Sequence, residues 1–266
     1  MIDMSAIMVA GRVPAGSDDV WLAAAFDEAA PRYDLMVALN PGYHRELAIA
    51  ANALATWVGS DAPRLVDLGC GSGASTRALL HALGRGAPTD ILGIDASVGM
   101  LSRAKAKPWP YGVRFERCFA QDLADARVPL GLGEAVDGVL AAYLFRNVSP
   151  ANRDRTLVGV REVLRPGGAL VVQEYSVAGS PRAGLVWTLV CWLAVIPLSW
   201  LTLRGTRLYR YLWSSVRGFE SVQAFVDRLY AAGFVDVEVR TARGWQRGIL
   251  HTFRARRPDK RPAASR

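Results

Sequence analysis

The sequence predicts an α/β fold: a doubly wound, mostly parallel seven-stranded sheet with an antiparallel edge pair, N-terminal helices and an apolar helical insertion. Three observations carry that prediction. From residue 64 onward, short apolar β-branched runs alternate with helical patterns. Strands buried on both faces read as continuous apolar runs and not as alternating ones, which points to a parallel sheet. The last two strand-like stretches follow each other with no helix between them, which implies an antiparallel pair at a sheet edge.

The elements fall in a regular order. Residues 1–19 have a short apolar stretch at 7–10 but no basic region before it, and Gly, Pro and Ser where apolar residues should continue. They read as a flexible leader and not as a signal peptide. Residues 20–58 read as helices lying ahead of the sheet. Strands are expected at 64–68, 90–94, 113–118, 136–143 and 169–174, with helices at 74–83, 98–105 and 152–164. Ser97 is placed to cap the second of these helices, and Arg165-Pro166-Gly167-Gly168 stops the third and turns into a strand. A helix at 221–232 precedes Gly233 and the closing strands at 235–241 and 249–254. One domain, 20–255, holds the sheet and carries an apolar insertion at 183–216; a basic tail follows at 256–266, and the whole of 254–266 reads as solvated.

Composition narrows the class. With 266 residues, 51% apolar and 21% charged, the chain can build a large core and carries too few charges for a disordered one. Cys70, Cys118 and Cys191 have no metal-ligand spacing and cannot all pair. That excludes a disulfide scaffold and a cysteine-based zinc site, and it favours a reducing compartment. No metal is expected. The formal charge is +8, but six basic residues against Asp259 in 254–266 supply +5 of it. A charge so concentrated argues weakly for nucleic acid and better for an anionic surface. Residues 183–203 hold no charge and include Trp187, Trp192 and Trp200. Their length matches a membrane span, but strands of one sheet flank them on both sides and Pro197 interrupts them. The preferred reading is a broken helical pair that covers a lipophilic pocket and dips into a membrane interface; a buried core helix produces the same apolar run.

Residues 65–73 read Leu-Val-Asp-Leu-Gly-Cys-Gly-Ser-Gly and run from a strand into a helix. Glycines there let the backbone turn tightly and approach a ligand. Taken alone, Gly69, Gly71 and Ala74 also satisfy a dinucleotide pattern. Asp67 shifts the balance: inside the strand end it can meet the ammonium of a methionine moiety, and it would repel a pyrophosphate. Asp95 closes the second strand, where a carboxylate accepts from both ribose hydroxyls. Gln121-Asp122-Leu123 follows the third strand, so that Asp122 can accept from an adenine amino group while Leu123 covers the ring. Each carboxylate alone could be a helix cap or a solvated loop residue. At the carboxyl ends of three successive parallel strands they converge on one crevice, and the cofactor they suit is S-adenosylmethionine.

Further segments add a resemblance. Phe26-Asp27 with Tyr33-Asp34-Leu35-Met36, the glycine motif with Asp67, Ile94-Asp95-Ala96-Ser97 with Gly99-Met100-Leu101, Phe145-Arg146-Asn147-Val148, Leu164-Arg165-Pro166-Gly167-Gly168 with Glu174, Tyr209-Arg210-Tyr211-Leu212 and Ala232-Gly233-Phe234 all have counterparts in one family. Over roughly residues 25–255 the sequence resembles class I S-adenosylmethionine-dependent methyltransferases, and within them the ubiquinone/menaquinone-biosynthesis C-methyltransferase family. The resemblance implies a Rossmann-like methyltransferase fold and C-methylation of a lipophilic quinol. It implies a cofactor site that holds Asp67, Gly69, Gly71, Ser72, Gly73, Asp95, Ala96, Met100, Asp122, Leu123 and Tyr143. The Arg-Asn-Val and Tyr-Arg-Tyr-Leu elements are the ones that point to quinone methylation. Ala142 and Leu144 depart from the family pattern ahead of Arg146, as does the tryptophan-rich segment before Tyr209.

The chemistry follows. A sulfonium methyl is already electrophilic, so the enzyme mainly positions it in line with a nucleophile. A quinol ring carbon becomes nucleophilic when its hydroxyl ionises. Arg146 suits the resulting anion because it stays protonated and cannot act as an ordinary base. Asn147 can orient a water or the second ring oxygen, and Tyr211, Tyr143, Glu174, His44 and His251 are candidates for a proton relay. The alternatives are methylation of another lipophilic phenolic or polyketide molecule, an RNA methyltransferase or nucleic-acid module, and a nonenzymatic scaffold. Against nucleic acid, the charge sits in the tail and the fourth strand leads into Tyr143-Leu144-Phe145-Arg146. The expected partners are a lipophilic small molecule and a membrane surface. The expected location is cytoplasmic, peripheral on the inner face of the membrane.

Overall fold

The computed structural model describes residues 17–38, 42–84, 88, 90–133, 135–197 and 207–259. The seven strands are β1 (Arg64–Leu68), β2 (Asp90–Asp95), β3 (Val113–Arg117), β4 (Val136–Ala142), β5 (Leu164–Tyr175), β6 (Val235–Thr241) and β7 (Leu250–Arg256). They form one sheet in the order β3-β2-β1-β4-β5-β7-β6. Neighbours from β3 to β5 pair parallel, and β7 runs antiparallel to both β5 and β6. The fold class is the one the sequence predicts. The order reverses between β1 and β4, and in open sheets of this kind the crevice outside the strand ends at that point receives the ligand.

Helices cover both faces because the central strands are apolar on both. On one face, α2 (Tyr43–Val58) buries Leu47, Ala50, Ala51, Leu54 and Val58 at helical spacing and packs beside α3 (Ala74–Leu83) on Leu65, Leu140 and Val171. On the other, α5 (Pro150–Val163) packs its Leu157 and Val160 with Val66, Val139 and Val172 of the strands. Ser97 caps α4 (Val98–Lys105) as expected, accepting from Met100 N at 3.0 Å. Ahead of the sheet, α1 (Ser17–Ala38) packs along α4.

The element boundaries differ in three places. The Arg165-Pro166-Gly167-Gly168 segment does not lie ahead of the fifth strand but inside it. Leu164 pairs with Val136 and the next partners are Ala169 and Gly138, so the segment bulges out of the ladder. Gly167 and Gly168 instead exchange backbone hydrogen bonds with Arg257. Residues 254–256, expected as solvated, instead belong to the sheet: Ala255 points into the core and β7 ends only at Arg256. At the other end, α1 begins at Ser17 and Asp19 is buried, which shortens the expected leader; residues 1–16 and 260–266 lie outside the described residues.

The described part of the apolar insertion is helical. Ser180 caps α6 (Pro181–Val190), which runs on into a π-helical turn at Cys191–Val195. Ala183, Trp187, Cys191 and Ile196 face inward, whereas Leu185, Val186, Leu189, Trp192 and Leu193 are exposed. Residues 198–206, including Trp200, lie outside the described residues. Beyond them lies α7 (Arg207–Gly218), and α8 (Val222–Ala231) leads to the edge pair. Among the described residues no helix is long and apolar enough to cross a membrane.

Candidate active site

The crevice at the switch point is a cleft that encloses about 960 Å³ of unfilled space, its solvent mouth included. Its floor is the loop from β1 into α3. Gly69 N and Cys70 N both donate to Ile94 O, at 2.7 and 2.9 Å, which turns the chain sharply at the strand end. Gly71 has φ +53°, and a Cβ there would meet nothing within 4 Å, so its open side faces the cleft. Gly73 has φ +91°, and a Cβ would lie 2.8 Å from the Trp109 ring; this glycine serves packing and does not border the cleft.

Asp67 is fully buried. Its Oδ2 accepts from Ser75 Oγ at 2.8 Å and Thr76 Oγ1 at 2.6 Å, which fixes the first turn of α3, and its Oδ1 has no partner among the described residues. Burial pushes its carboxyl up to about 6. Asp67 does not border the cleft, whose wall at this point is Gly69, Ser72 and Ser75. Asp95 does border it. Its two oxygens accept from Gly71 N at 2.8 Å and Ser97 N at 2.9 Å, and burial raises its pKa. A carboxylate offers about four lone-pair sites, so acceptor capacity remains toward the cleft. Ala96 and Met100 complete this wall.

The third strand departs from expectation. Phe119, Ala120 and Gln121 line the cleft, whereas Asp122 pairs with Arg155 at 3.2 Å and Leu123 is fully buried in the core. A single 3₁₀ turn at Ala120–Asp122 presents its first two residues inward, and the core claims the apolar residue that follows.

The remaining wall is α1, through Asp19, Leu22, Ala23 and Phe26. Three carboxylates fasten it. Asp19 accepts from Ser149 N at 3.1 Å, Gln121 Nε2 at 3.2 Å and Asn152 Nδ2 at 2.7 Å. Asp27 accepts from Ser97 Oγ and from Gly99 N at 2.8 Å. Asp34 accepts from Ser72 Oγ, Arg103 at 2.9 Å and Lys107 at 3.1 Å. Burial opposes the Asp34 charge, but these three donors outweigh it and hold its pKa below the usual range.

Opposite α1, β4 leads into Tyr143, which adopts φ +58°. That conformation is costly for a large side chain, and it is held by Tyr143 N donating to Gln173 O at 2.7 Å and by rings on both sides. Tyr43 and Tyr175 stack on the Tyr143 ring at 5.2 and 5.1 Å, and Trp187 of α6 follows at 5.1 Å. The Tyr143 hydroxyl is buried with no partner among the described residues, and burial drives its pKa well up.

The next turn brings the three predicted catalytic residues together. Arg146 Nε lies 3.3 Å from Glu174 Oε1, and its Nη1 donates to Asn147 Oδ1 at 2.7 Å and to Ser215 Oγ of α7 at 3.2 Å. Tyr211 donates to the same Asn147 Oδ1 at 3.3 Å, while Asn147 Nδ2 donates to Tyr143 O at 2.9 Å. Arg146 and Asn147 border the cleft. Glu174 is fully buried; burial raises its pKa, against which the Arg146 charge works. Of the other relay candidates, His44 is exposed and His251 is buried with its pKa lowered by burial; neither borders the cleft. Sequence reasoning missed Asp19 and Ser215, which carry no local signal, and gave the role in the Gln121-Asp122-Leu123 segment to the last two residues when it is Gln121 that lines the cleft.

The family model for the ubiE/COQ5 methyltransferase family matches residues 15–253. A demethylmenaquinone methyltransferase of Thermus thermophilus is 32% identical over 79% of this chain and 90% of its own length. One from Beutenbergia cavernae is 30% identical over 89% of this chain and 90% of its own. Among solved structures, a magnesium protoporphyrin IX methyltransferase from Synechocystis with bound SAH has a TM-score of 0.61 at 14% identity, covering 90% of this chain and 99% of that one. A phosphoethanolamine N-methyltransferase from Haemonchus contortus, in complex with S-adenosyl-L-methionine, has a TM-score of 0.57 at 15% identity, covering 87% of this chain and 57% of that one. At such identities these likenesses concern the fold.

Proposed function

This chain belongs to the ubiE/COQ5 methyltransferase family, and we propose that it methylates a ring carbon of a lipophilic quinol, a menaquinone or ubiquinone precursor. It is an S-adenosylmethionine-dependent methyltransferase. The cleft fits that cofactor on two counts: the open flank of Gly71 and the spare acceptor capacity of Asp95. Asp95 would hold the ribose hydroxyls, and Ala96, Met100 and Ala120 would flank the adenine. When bound, the cofactor supplies an electrophilic methyl group.

The observation that carries the acceptor reading is the clamped guanidinium at the cleft wall. A free phenol ionises near pH 10, so the site must favour the phenolate for the ring carbon to attack. Arg146, at 9% side-chain exposure, provides a fixed positive charge where that anion forms. Glu174 and Asn147 fix its orientation in advance, so little reorganisation is needed as charge develops. Asn147 holds a ring oxygen in register, Tyr211 steadies Asn147 from behind the cleft wall through its bond to Oδ1, and the aromatic walls exclude water from the reacting carbon.

The lipophilic acceptor reading also accounts for the insertion. On α6 and the π-helical turn that continues it, Leu185 is 61% exposed, Leu189 47% and Leu193 74%, with Trp192 beside them. Their spacing puts them on one side of the helix, away from Trp187. The enzyme meets the membrane from the cytoplasmic side through this face and takes its acceptor beneath α6. Incubation with labelled S-adenosylmethionine and demethylated quinols tests the reading. Mass spectrometry should place the new methyl on ring carbon; transfer to oxygen or nitrogen only, or no transfer, overturns it.

A further inference from the structure

Away from the cleft, a second cavity of about 540 Å³, its mouth included, lies between the first turns of α2 and the edge strand β6. Three arginines line it: Arg45 and, from the other side, Arg240 and Arg243. The fold brings them together. Arg240 pairs with Thr252 across the β6–β7 ladder and Thr252 with Gln173 on β5, while Gln173 Nε2 donates to Glu46 O at 2.8 Å. That bond pins the start of α2 against the edge pair. Glu46 is the one carboxylate in the lining; it is buried and already taken by Arg45 at 2.8 Å. The Arg240 and Arg243 side chains have no hydrogen-bond or ion-pair partner among the described residues. Elsewhere on the strands Arg64, Arg114, Arg165 and Arg254 each meet a carboxylate.

We propose that this cavity is a binding site for a phosphate oxyanion, held between the Arg240 and Arg243 guanidiniums with Arg45 at its rim and the Thr252 hydroxyl at its floor. Guanidinium forks match tetrahedral oxyanions in shape and stay charged at every physiological pH. Three cations against one carboxylate leave the cavity positive. The oxyanion can come from an anionic phospholipid headgroup or from a soluble phosphate. The headgroup source has a structural argument: Ala242, in the cavity lining, packs in the same apolar layer as Trp187 of α6 and Cys191 just after it. A headgroup held here would set the exposed α6 face toward the same bilayer.

Calorimetry of the full chain with inorganic phosphate tests the site. Saturable binding is expected, weakened about tenfold by Arg240→Gln and by Arg243→Gln. Lys105→Gln, which removes an exposed charge on α4, should leave it unchanged. Both arginines are exposed, and thermal melts check that each variant folds. Flotation with phosphatidylcholine vesicles, with and without phosphatidylglycerol, separates the sources. If the headgroup is the ligand, the gain from phosphatidylglycerol falls in both arginine variants and inorganic phosphate competes it away. If a soluble phosphate is the ligand, calorimetry responds to the variants and flotation does not. No saturable phosphate binding, or an equal loss with Lys105→Gln, overturns the site. None of these readouts depends on methyl transfer, so the failure of either reading is distinguishable from the other.

Discussion

At the residue scale, Arg146 pairs with the buried Glu174, and the catalytic role proposed for it can be separated from that pairing by substitution. Removing it leaves Glu174 charged and fully buried, and an orphaned buried partner typically costs about 3–5 kcal/mol of stability. The double variant Arg146→Gln/Glu174→Gln avoids that penalty. We expect it to fold with near-native cofactor affinity and to lose about 10²–10³ in kcat, the usual cost of one preorganised charge acting on a transition-state anion. Equal losses in kcat and cofactor affinity would make Arg146 a cofactor residue. Asp67 makes a pH prediction. Its carboxyl holds a proton up to about pH 6 in the fold, against an ordinary value of 3.8. Folding therefore takes up a proton between those values, and stability is lost as the pH rises through the window. Wild type should gain melting temperature relative to Asp67→Asn as the pH falls from 7 to 5; a constant difference would show that Asp67 does not titrate there.

At the element scale, α1 is a strap over the cleft, fastened by Asp19, Asp27 and Asp34. At 3.6 residues per turn these positions fall within about 80° of one another around the helix. One side of a single helix therefore reaches the β4–α5 turn, the β2–α4 turn and the glycine loop. The half-exposed Asp34 pairs contribute little stability individually. Their effect should appear in cofactor retention. Asp27→Ala/Asp34→Ala is expected to speed cofactor dissociation about tenfold in stopped-flow experiments, with a small change in melting temperature, since about 1.4 kcal/mol corresponds to that factor. An unchanged dissociation rate would remove α1 from the cofactor's exit path.

At the scale of the whole molecule, the exposed face of α6 and the cleft share one end of the sheet through the Tyr43–Tyr143–Tyr175–Trp187 ring column. Burying several leucine and tryptophan side chains in an interface yields a few kcal/mol at about 25 cal/mol per Å², enough for reversible attachment. Leu189→Asp/Leu193→Asp should abolish flotation with liposomes while leaving turnover on a short-tailed, soluble quinol within about twofold, because both side chains point away from the core. Retained flotation would place the membrane contact elsewhere.

What was legible in the sequence is what local chemistry and periodicity encode. Continuous apolar runs determine the strands, Ser97 its helix start, and the glycine loop with Asp95 the place where a nucleotide-like ligand approaches a strand end. The resemblance brought Arg146, Asn147 and Tyr211 into one site, and the structure joins them through the single oxygen Asn147 Oδ1. Asp122 and Leu123 were misplaced because a three-residue turn has no periodicity from which to read its inward face. Asp19 lay in a stretch read as leader, although its partners Ser149 and Asn152 stand about 130 residues away in the chain. The Pro-Gly-Gly bulge follows from pairing with Arg257, and the arginine-lined cavity exists only because α2 meets the far edge of the sheet. The sequence by itself determined the elements and the cofactor chemistry, since these depend on neighbours a few residues apart. Which side chains face the cleft, and which charges are left unpaired, only the tertiary structure decided, because hydrogen bonds and ion pairs act between groups that packing, and not sequence distance, brings within 3 Å.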